Sequence, residues 1–205
     1  MTWPTALPLV AILRGIRPDE AVAHTQELVA AGFDAIEIPL NSPDWQRSIG
    51  DTVAAFGTRA LIGAGTVLTE NLVDEVADLG GRLVVTPNTD ETVIRRSRDR
   101  GLYTAIGFAT PSEAFAALRA GAQSLKLFPS TTFGPAYVKA IRAVLPKDVP
   151  LLAVGGVTPD NLGAFLDAGC AGAGLGSDLY KPGQTPAQTR ERADAFIHAY
   201  RQHHA

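Results

Sequence analysis

A single cysteine, Cys170, stands among 205 residues, so no internal disulfide can form, and its Gly/Ala surroundings without a nearby histidine mark it as structural rather than nucleophilic. Histidine is scarce too. The chain has four, three of them in the last eight residues, which gives no cluster with metal-ligand spacing. No apolar run approaches the about 18 residues of a membrane span, and the N-terminal MTWPTALPLVAILRG has no basic leader. Neither secretion nor membrane insertion is indicated, and the cytoplasm is the expected location. Lysine and arginine are scattered singly, and their 18 cations against 21 carboxylates leave a net charge of −3. That excludes the basic stripe of a nucleic-acid binder and the polybasic patch of a membrane binder, so an anionic ligand has to be held locally. A linker rich in Gly, Ser or charge is also missing, and residues 1–205 read as one domain whose 46% hydrophobic content suits an ordinary core.

What the chain does have is a repeated punctuation. AAGFDAIEI, AFGTRALIG, LGGRLVV, RGLYTAIG, AGAQSLKL and AGCAGAGLG each run from a helix-like stretch through glycine into an apolar strand. Gly32, Gly57, Gly80 or Gly81, Gly101, Gly121 and Gly169 are placed to end helices in the left-handed conformation. Their spacing of roughly 20 to 25 residues marks a repeated unit. Helix starts are signalled by Ser42-Pro43, Thr110-Pro111, Thr158-Pro159 and Thr185-Pro186, each an N-cap followed by proline, with capping boxes at Thr110/Glu113 and Thr185/Gln188. The marks predict about eight strands, near 8–14, 34–40, 60–65, 82–86, 103–107, 124–128, 150–154 and 171–176. Helices follow near 18–31, 43–56, 70–79, 89–100, 111–120, 135–144, 159–168 and 187–202. Eight strand-helix units favour a closed parallel (β/α)8 TIM barrel over an open sheet, with the active site where strands run into helices.

The stretch Ser124-Leu125-Lys126-Leu127-Phe128 puts a lysine inside an apolar strand. Strand alternation turns Leu125 and Leu127 toward the helices and Lys126 into the barrel. There, desolvation lowers its pKa and leaves a free amine able to form a Schiff base. The competing reading is a strand-end lysine that snorkels to solvent. In strand two Ile36, Ile38 and Leu40 face outward, so Glu37 points inward toward the lysine side, as acid/base partner or as the other half of a core ion pair. Other strand ends carry Arg14, Thr66, and Thr86-Pro87-Asn88. Strands seven and eight end in Gly155-Gly156 and Gly174-Leu175-Gly176-Ser177, where backbone N–H groups and a helix N-terminus suit a phosphate.

The segments AILRGI, EIPLNSP, GAGTV, TPN, LKLFPS, FGP, AVGGVTP and GAGLGSDLY, in this order across almost the whole chain, resemble the class I aldolases that cleave 2-keto-3-deoxy-6-phosphosugar acids. The resemblance implies a TIM barrel, commonly a homotrimer, which needs no cofactor and acts on a small phosphorylated keto acid. It makes Lys126 the Schiff-base lysine and Glu37 the acid/base. Arg14 and Thr66 fall near the keto-acid end, and Gly156, Gly176 and Ser177 near the phosphate. Relatives acting on the gluconate epimer place a threonine before the Gly-Gly pair and an arginine four residues after the glutamate. Here Val154 and Asn41 stand there, which points to the galactonate epimer. Three alternatives stay open: the same reaction with the gluconate epimer as main substrate, a non-catalytic sugar-phosphate binding barrel, and a metal-dependent aldolase or isomerase barrel, the last short of the ligands it needs.

Overall fold

The computed structural model describes residues 2–204. Eight parallel strands close a barrel in chain order: β1 (Leu9–Ile12), β2 (Ala35–Pro39), β3 (Leu61–Gly65), β4 (Leu83–Val85), β5 (Tyr103–Phe108), β6 (Ser124–Leu127), β7 (Leu151–Val154) and β8 (Gly172–Leu175). Each strand is followed by a helix: α1 (Pro18–Ala31), α2 (Trp45–Phe56), α3 (Glu70–Asp78), α4 (Glu91–Asp99), α5 (Pro111–Ala120), α6 (Ser130–Arg142), α7 (Pro159–Asp167) and α8 (Pro186–His203). This is the expected (β/α)8 barrel. Among the described residues no helix is long and apolar enough to cross a membrane.

Strand alternation divides the apolar residues into two layers. Ile36, Ile38, Leu125 and Leu127 pack outward with Phe165 and Phe196 of the helices. Val10, Ile12, Val85, Leu152 and Val154 fill the barrel itself. The capping boxes at Thr110/Glu113 and Thr185/Gln188 form as expected, and a third joins Thr158 to Asn161.

Three local expectations are corrected. Ser42-Pro43 does not start α2. The helix begins at Trp45 after Asp44, whose φ is 42°, because Ser42 Oγ is already committed to the Gly15 amide at 2.9 Å across the β1 loop. Gly57 is right-handed, with φ −58°: the chain keeps turning helically past Phe56, as the Arg59 and Ala60 amides both reach its carbonyl. Finally, α6 starts at Ser130 rather than 135, and its non-helical Gly134 (φ 74°, ψ 170°) separates a first turn from the segment that Pro135 opens.

The N-terminal end of the barrel is closed by the segment before β1. Trp3 packs on the inner layer, stands edge-on to Tyr103 at 5.4 Å and donates from Nε1 to Thr5 Oγ1 at 2.7 Å. Asp34 Oδ2 fastens the same segment by accepting from the Ala6 and Leu7 amides at 2.8 and 3.1 Å. Removing the indole uncovers the inner layer, so Trp3→Ala is expected to lower stability by about 2 kcal/mol, read as a lower urea midpoint at unchanged slope. An unaltered midpoint would mean that Trp3 does not close the barrel.

Candidate active site

Lys126 lies on β6 between Gly107 of β5 and Leu152 of β7 in the strand register, and only 5% of its surface is exposed. Its Nζ is 5.0 Å from the Phe128 ring centroid. Glu37 lies on β2, paired with Ile12 and Gly63, and is 1% exposed. The two side chains face one small internal cavity whose other walls include Ile12, Val85, Leu152 and Val154. A missing side chain makes room for the carboxylate, since a Cβ on Gly65 would overlap the Glu37 carboxyl oxygens.

Burial in apolar walls decides the protonation of both groups. It pushes the Glu37 carboxyl up to about 7 against the downward pull of Lys126 and Arg14. It brings the Lys126 ammonium down to about 8 against the upward pull of Glu37, with Arg14 adding to the lowering. At pH 7 such a lysine is roughly one-tenth free amine, whereas one at the ordinary value of about 10.4 would hold well under a thousandth. The lysine does not snorkel. Nor is the pair a close core ion pair, because no nitrogen-oxygen contact within 4.0 Å joins them and Glu37 Oε2 is buried without a hydrogen-bond partner.

Above this cavity opens a larger one of about 620 Å³ at the C-terminal end of the strands. Lys126, Ile12 and Val154 line both. The larger cavity gathers Arg14 from the end of β1, Thr66 from β3, Gly156 from β7, and Gly176 and Ser177 from β8. Arg14, Thr66, Lys126, Val154, Gly156, Gly176 and Ser177 therefore meet at these two spaces, with Glu37 on the floor, whereas Thr86, Asn88 and Asn41 line neither. Arg14 Nη1 donates to Asn41 Oδ1 at 2.8 Å, which turns the guanidinium toward the β2 loop. Thr66 holds a left-handed φ of 58°, a conformation that costs a threonine energy and is typical of functional sites.

Gly155 and Gly156 both have positive φ, 100° and 73°. Asn161 anchors their loop to α7, its Nδ2 donating to the Gly156 carbonyl at 3.0 Å and its Oδ1 accepting from the Thr158 amide at 2.9 Å. A Cβ on Gly156 would come within 2.6 Å of Thr131 Oγ1, whereas one on Gly176 would meet nothing within 4 Å.

The sequence reading missed several lining residues: Phe128, Val157, Asp178, Tyr180, Lys181 and Pro182. Phe128 shares the strand phase of Lys126, and Tyr180 and Lys181 directly follow the β8 glycines, so both signals were within reach. The side-chain charges around the larger cavity are Arg14, Lys126, Lys181 and Asp178, an excess of cations suited to an anion. Among the described residues no group of three or more His, Cys, Asp or Glu side chains is arranged to hold a metal ion.

A parallel barrel that buries a lysine of lowered pKa on the same cavity as an inward carboxylate, under a cationic cavity rimmed with glycine loops, is the arrangement of a Schiff-base lyase. The chain belongs to the KDPG and KHG aldolase family, whose model matches residues 4–192. It is 59% identical over 202 residues, 98% of both chains, to the 2-dehydro-3-deoxy-6-phosphogalactonate aldolase of Escherichia coli (strain K12). It is 50% identical to the probable 2-dehydro-3-deoxy-6-phosphogalactonate aldolase of Rhizobium meliloti (strain 1021), covering 96% of this chain and 93% of the relative. A solved structure described as "Native KDPGal structure" superposes with a TM-score of 0.98 at 59% identity, covering 99% of this chain and 98% of that one.

The electrostatics of the pair make a direct expectation. In a lysine-methyl NMR titration the Lys126 signal should move with a midpoint near pH 8. In Glu37→Gln it should move lower still, because the negative charge that favours the ammonium is gone. A midpoint near the ordinary lysine value of about 10.4 would mean the amine is solvated.

Proposed function

We propose that this chain cleaves 2-dehydro-3-deoxy-6-phospho-D-galactonate to pyruvate and D-glyceraldehyde 3-phosphate through a Schiff base on Lys126. The observation that carries this reading is the burial of Lys126 at the junction of the two cavities, with its amine brought down to about 8. The neutral amine attacks C2 of the keto acid, the carbinolamine loses water, and the resulting iminium can accept an electron pair. Glu37, held up at about 7, is poised to exchange protons near neutrality. Directly or through one water it takes the proton of the C4 hydroxyl. The C3–C4 bond then breaks, its electrons pass into the enamine, and the phosphorylated aldehyde leaves. Protonation at C3 and hydrolysis release pyruvate and restore the amine.

Arg14 and Thr66 orient the keto-acid oxygens. Gly156, Gly176 and Ser177 take the phosphate through backbone N–H groups that a bulkier chain would keep at a distance. The reading includes a cytoplasmic location and, as the resemblance implies, a homotrimer, for which the exposed Leu68 and Val144 offer apolar surface.

Pyruvate with borohydride should add one reduced pyruvyl group, on Lys126 alone, in peptide mass spectrometry. A label on Lys139, Lys147 or Lys181 instead, or none, would falsify the assignment.

Selectivity between C4 epimers is assigned to Val154. Its side chain lines both cavities and has no group to donate to a substrate hydroxyl, so the contact that favours the gluconate epimer is missing. Discrimination by an apolar pocket between closely similar groups is worth about 1–3 kcal/mol, roughly 10–200-fold. Val154→Thr is therefore expected to shift the kcat/KM ratio toward the gluconate epimer by about tenfold while pyruvate trapping persists. A parent enzyme that already prefers the gluconate epimer, or a ratio the substitution leaves alone, would remove Val154 from this role.

A further inference from the structure

His24 is 1% exposed, stands on α1 and takes no part in the chemistry above. Burying an imidazole costs energy unless its nitrogens are bonded, and a leucine would fill the space more cheaply. Its partners all lead to the chain between β8 and α8. His24 Nδ1 is 2.8 Å from Thr189 Oγ1, at the start of α8. The same Oγ1 accepts from Gln184 Nε2 at 3.0 Å, and that nitrogen also donates to the Leu179 carbonyl at 3.0 Å. Gln184 Oε1 accepts from the Lys181 amide at 3.2 Å. The His24 ring completes the set by standing edge-on to Tyr180 at 5.0 Å.

Gln184 Nε2 can only donate, so Thr189 Oγ1 accepts from it, while the direction of the His24 Nδ1–Thr189 Oγ1 bond follows the ring's tautomer. Gln184, Thr189 and His24 form one linked circuit behind the loop. Burial lowers the ring's pKa, with Glu20 and the Gln184 backbone opposing.

The segment under this circuit spans residues 176–185, longer than the about two to six residues usual for such connections. A long loop that lines a binding cavity needs internal fastening to present one conformation. Asp178, Tyr180, Lys181 and Pro182 of this loop all face the larger cavity. Pro182 also closes against β1, where a Cβ on Gly15 would come within 3.0 Å of its ring.

We propose that His24, Thr189 and Gln184 are positioning residues for the phosphate end of the substrate: they fix the β8–α8 loop from behind and so set the affinity for the phosphorylated partner without touching it. The proposal rests on the reading of that loop as the phosphate end. It separates the two halves of the reaction, because in the synthetic direction one substrate, pyruvate, meets Lys126, and the other, glyceraldehyde 3-phosphate, carries the phosphate.

Thr189→Val keeps the side-chain shape and deletes the hydroxyl. It is expected to raise KM for glyceraldehyde 3-phosphate by about tenfold, equivalent to about 1.4 kcal/mol, with KM for pyruvate and kcat within about twofold of the parent. Thr189→Ser, which keeps the hydroxyl, should restore the parent KM. Should Thr189→Val fail to fold, Gln184→Met carries the same expectation, with bonds removed at the other end of the circuit. Both KM values rising together, neither moving in a folded variant, or Ser behaving like Val would each overturn the proposal. Loss of pyruvate trapping in the parent enzyme would instead sink the Lys126 assignment, which keeps the two failures distinguishable.

Discussion

Two ionisable side chains of opposite sign, Glu37 and Lys126, are buried on the inner faces of β2 and β6 with apolar walls around them. The rest of the site depends on that placement. Glu37 is raised from 4.5 to about 7 and Lys126 lowered from 10.5 to about 8, because burial disfavours the charged form of each. The signs fix where this is felt. A carboxyl raised in the folded state is penalised fully above about pH 7 and not at all below its unfolded value near 4.5. A lysine lowered in the folded state is penalised fully below about pH 8, and relief comes as pH rises toward 10.5. Near neutrality both penalties stand, so the pair destabilises the fold, and apolar residues of similar volume would serve the barrel better; the proposed chemistry gives the reason to keep the pair.

The barrel meets this demand with geometry rather than with extra hydrogen bonds. Strand alternation turns the apolar neighbours Ile36, Ile38, Leu125 and Leu127 outward, so the helix-facing layer is unbroken by the charges inside. Small residues then clear the interior. Gly65 leaves the volume that the Glu37 carboxylate occupies, and Gly107, in register with Lys126, lies where a Cβ would run into the Pro87 backbone. These glycines act through missing volume. Those at 155 and 156 act through positive φ.

The alternation that positions the pair is also what made it legible in the sequence. A lysine flanked by leucines and a glutamate flanked by isoleucines have only one phase that keeps the outer layer apolar, and the structure adopts it. Helix ends were readable where a cap has one use, as at Thr110 and Thr185, and misread where the residue had a rival partner. Ser42 looks like an N-cap, yet its hydroxyl serves the Gly15 amide across the β1 loop, a contact between residues 27 positions apart. The same limit hid the His24–Thr189–Gln184 circuit. His24 and Thr189 lie 165 positions apart, and nothing local to either marks it as a partner of the other.

In the proposed reading, chemistry and recognition are carried by different parts of the fold. The proposed reacting groups sit on β2 and β6, whose ladders are continuous around a closed barrel, and they can hold a fixed geometry because no strand has a free edge to shift along. The groups proposed to meet the phosphate, Gly156, Gly176 and Ser177, sit on the connections after β7 and β8. Connections lack ladder bonds, so each must be fastened by side chains: Ser42 to Gly15 behind β1, Asn161 to Gly156 behind β7, and Gln184 with Thr189 and His24 behind β8. None of these fastening residues lines the larger cavity. Substrate range can then change through the loop tips while the fasteners and the buried pair stay the same.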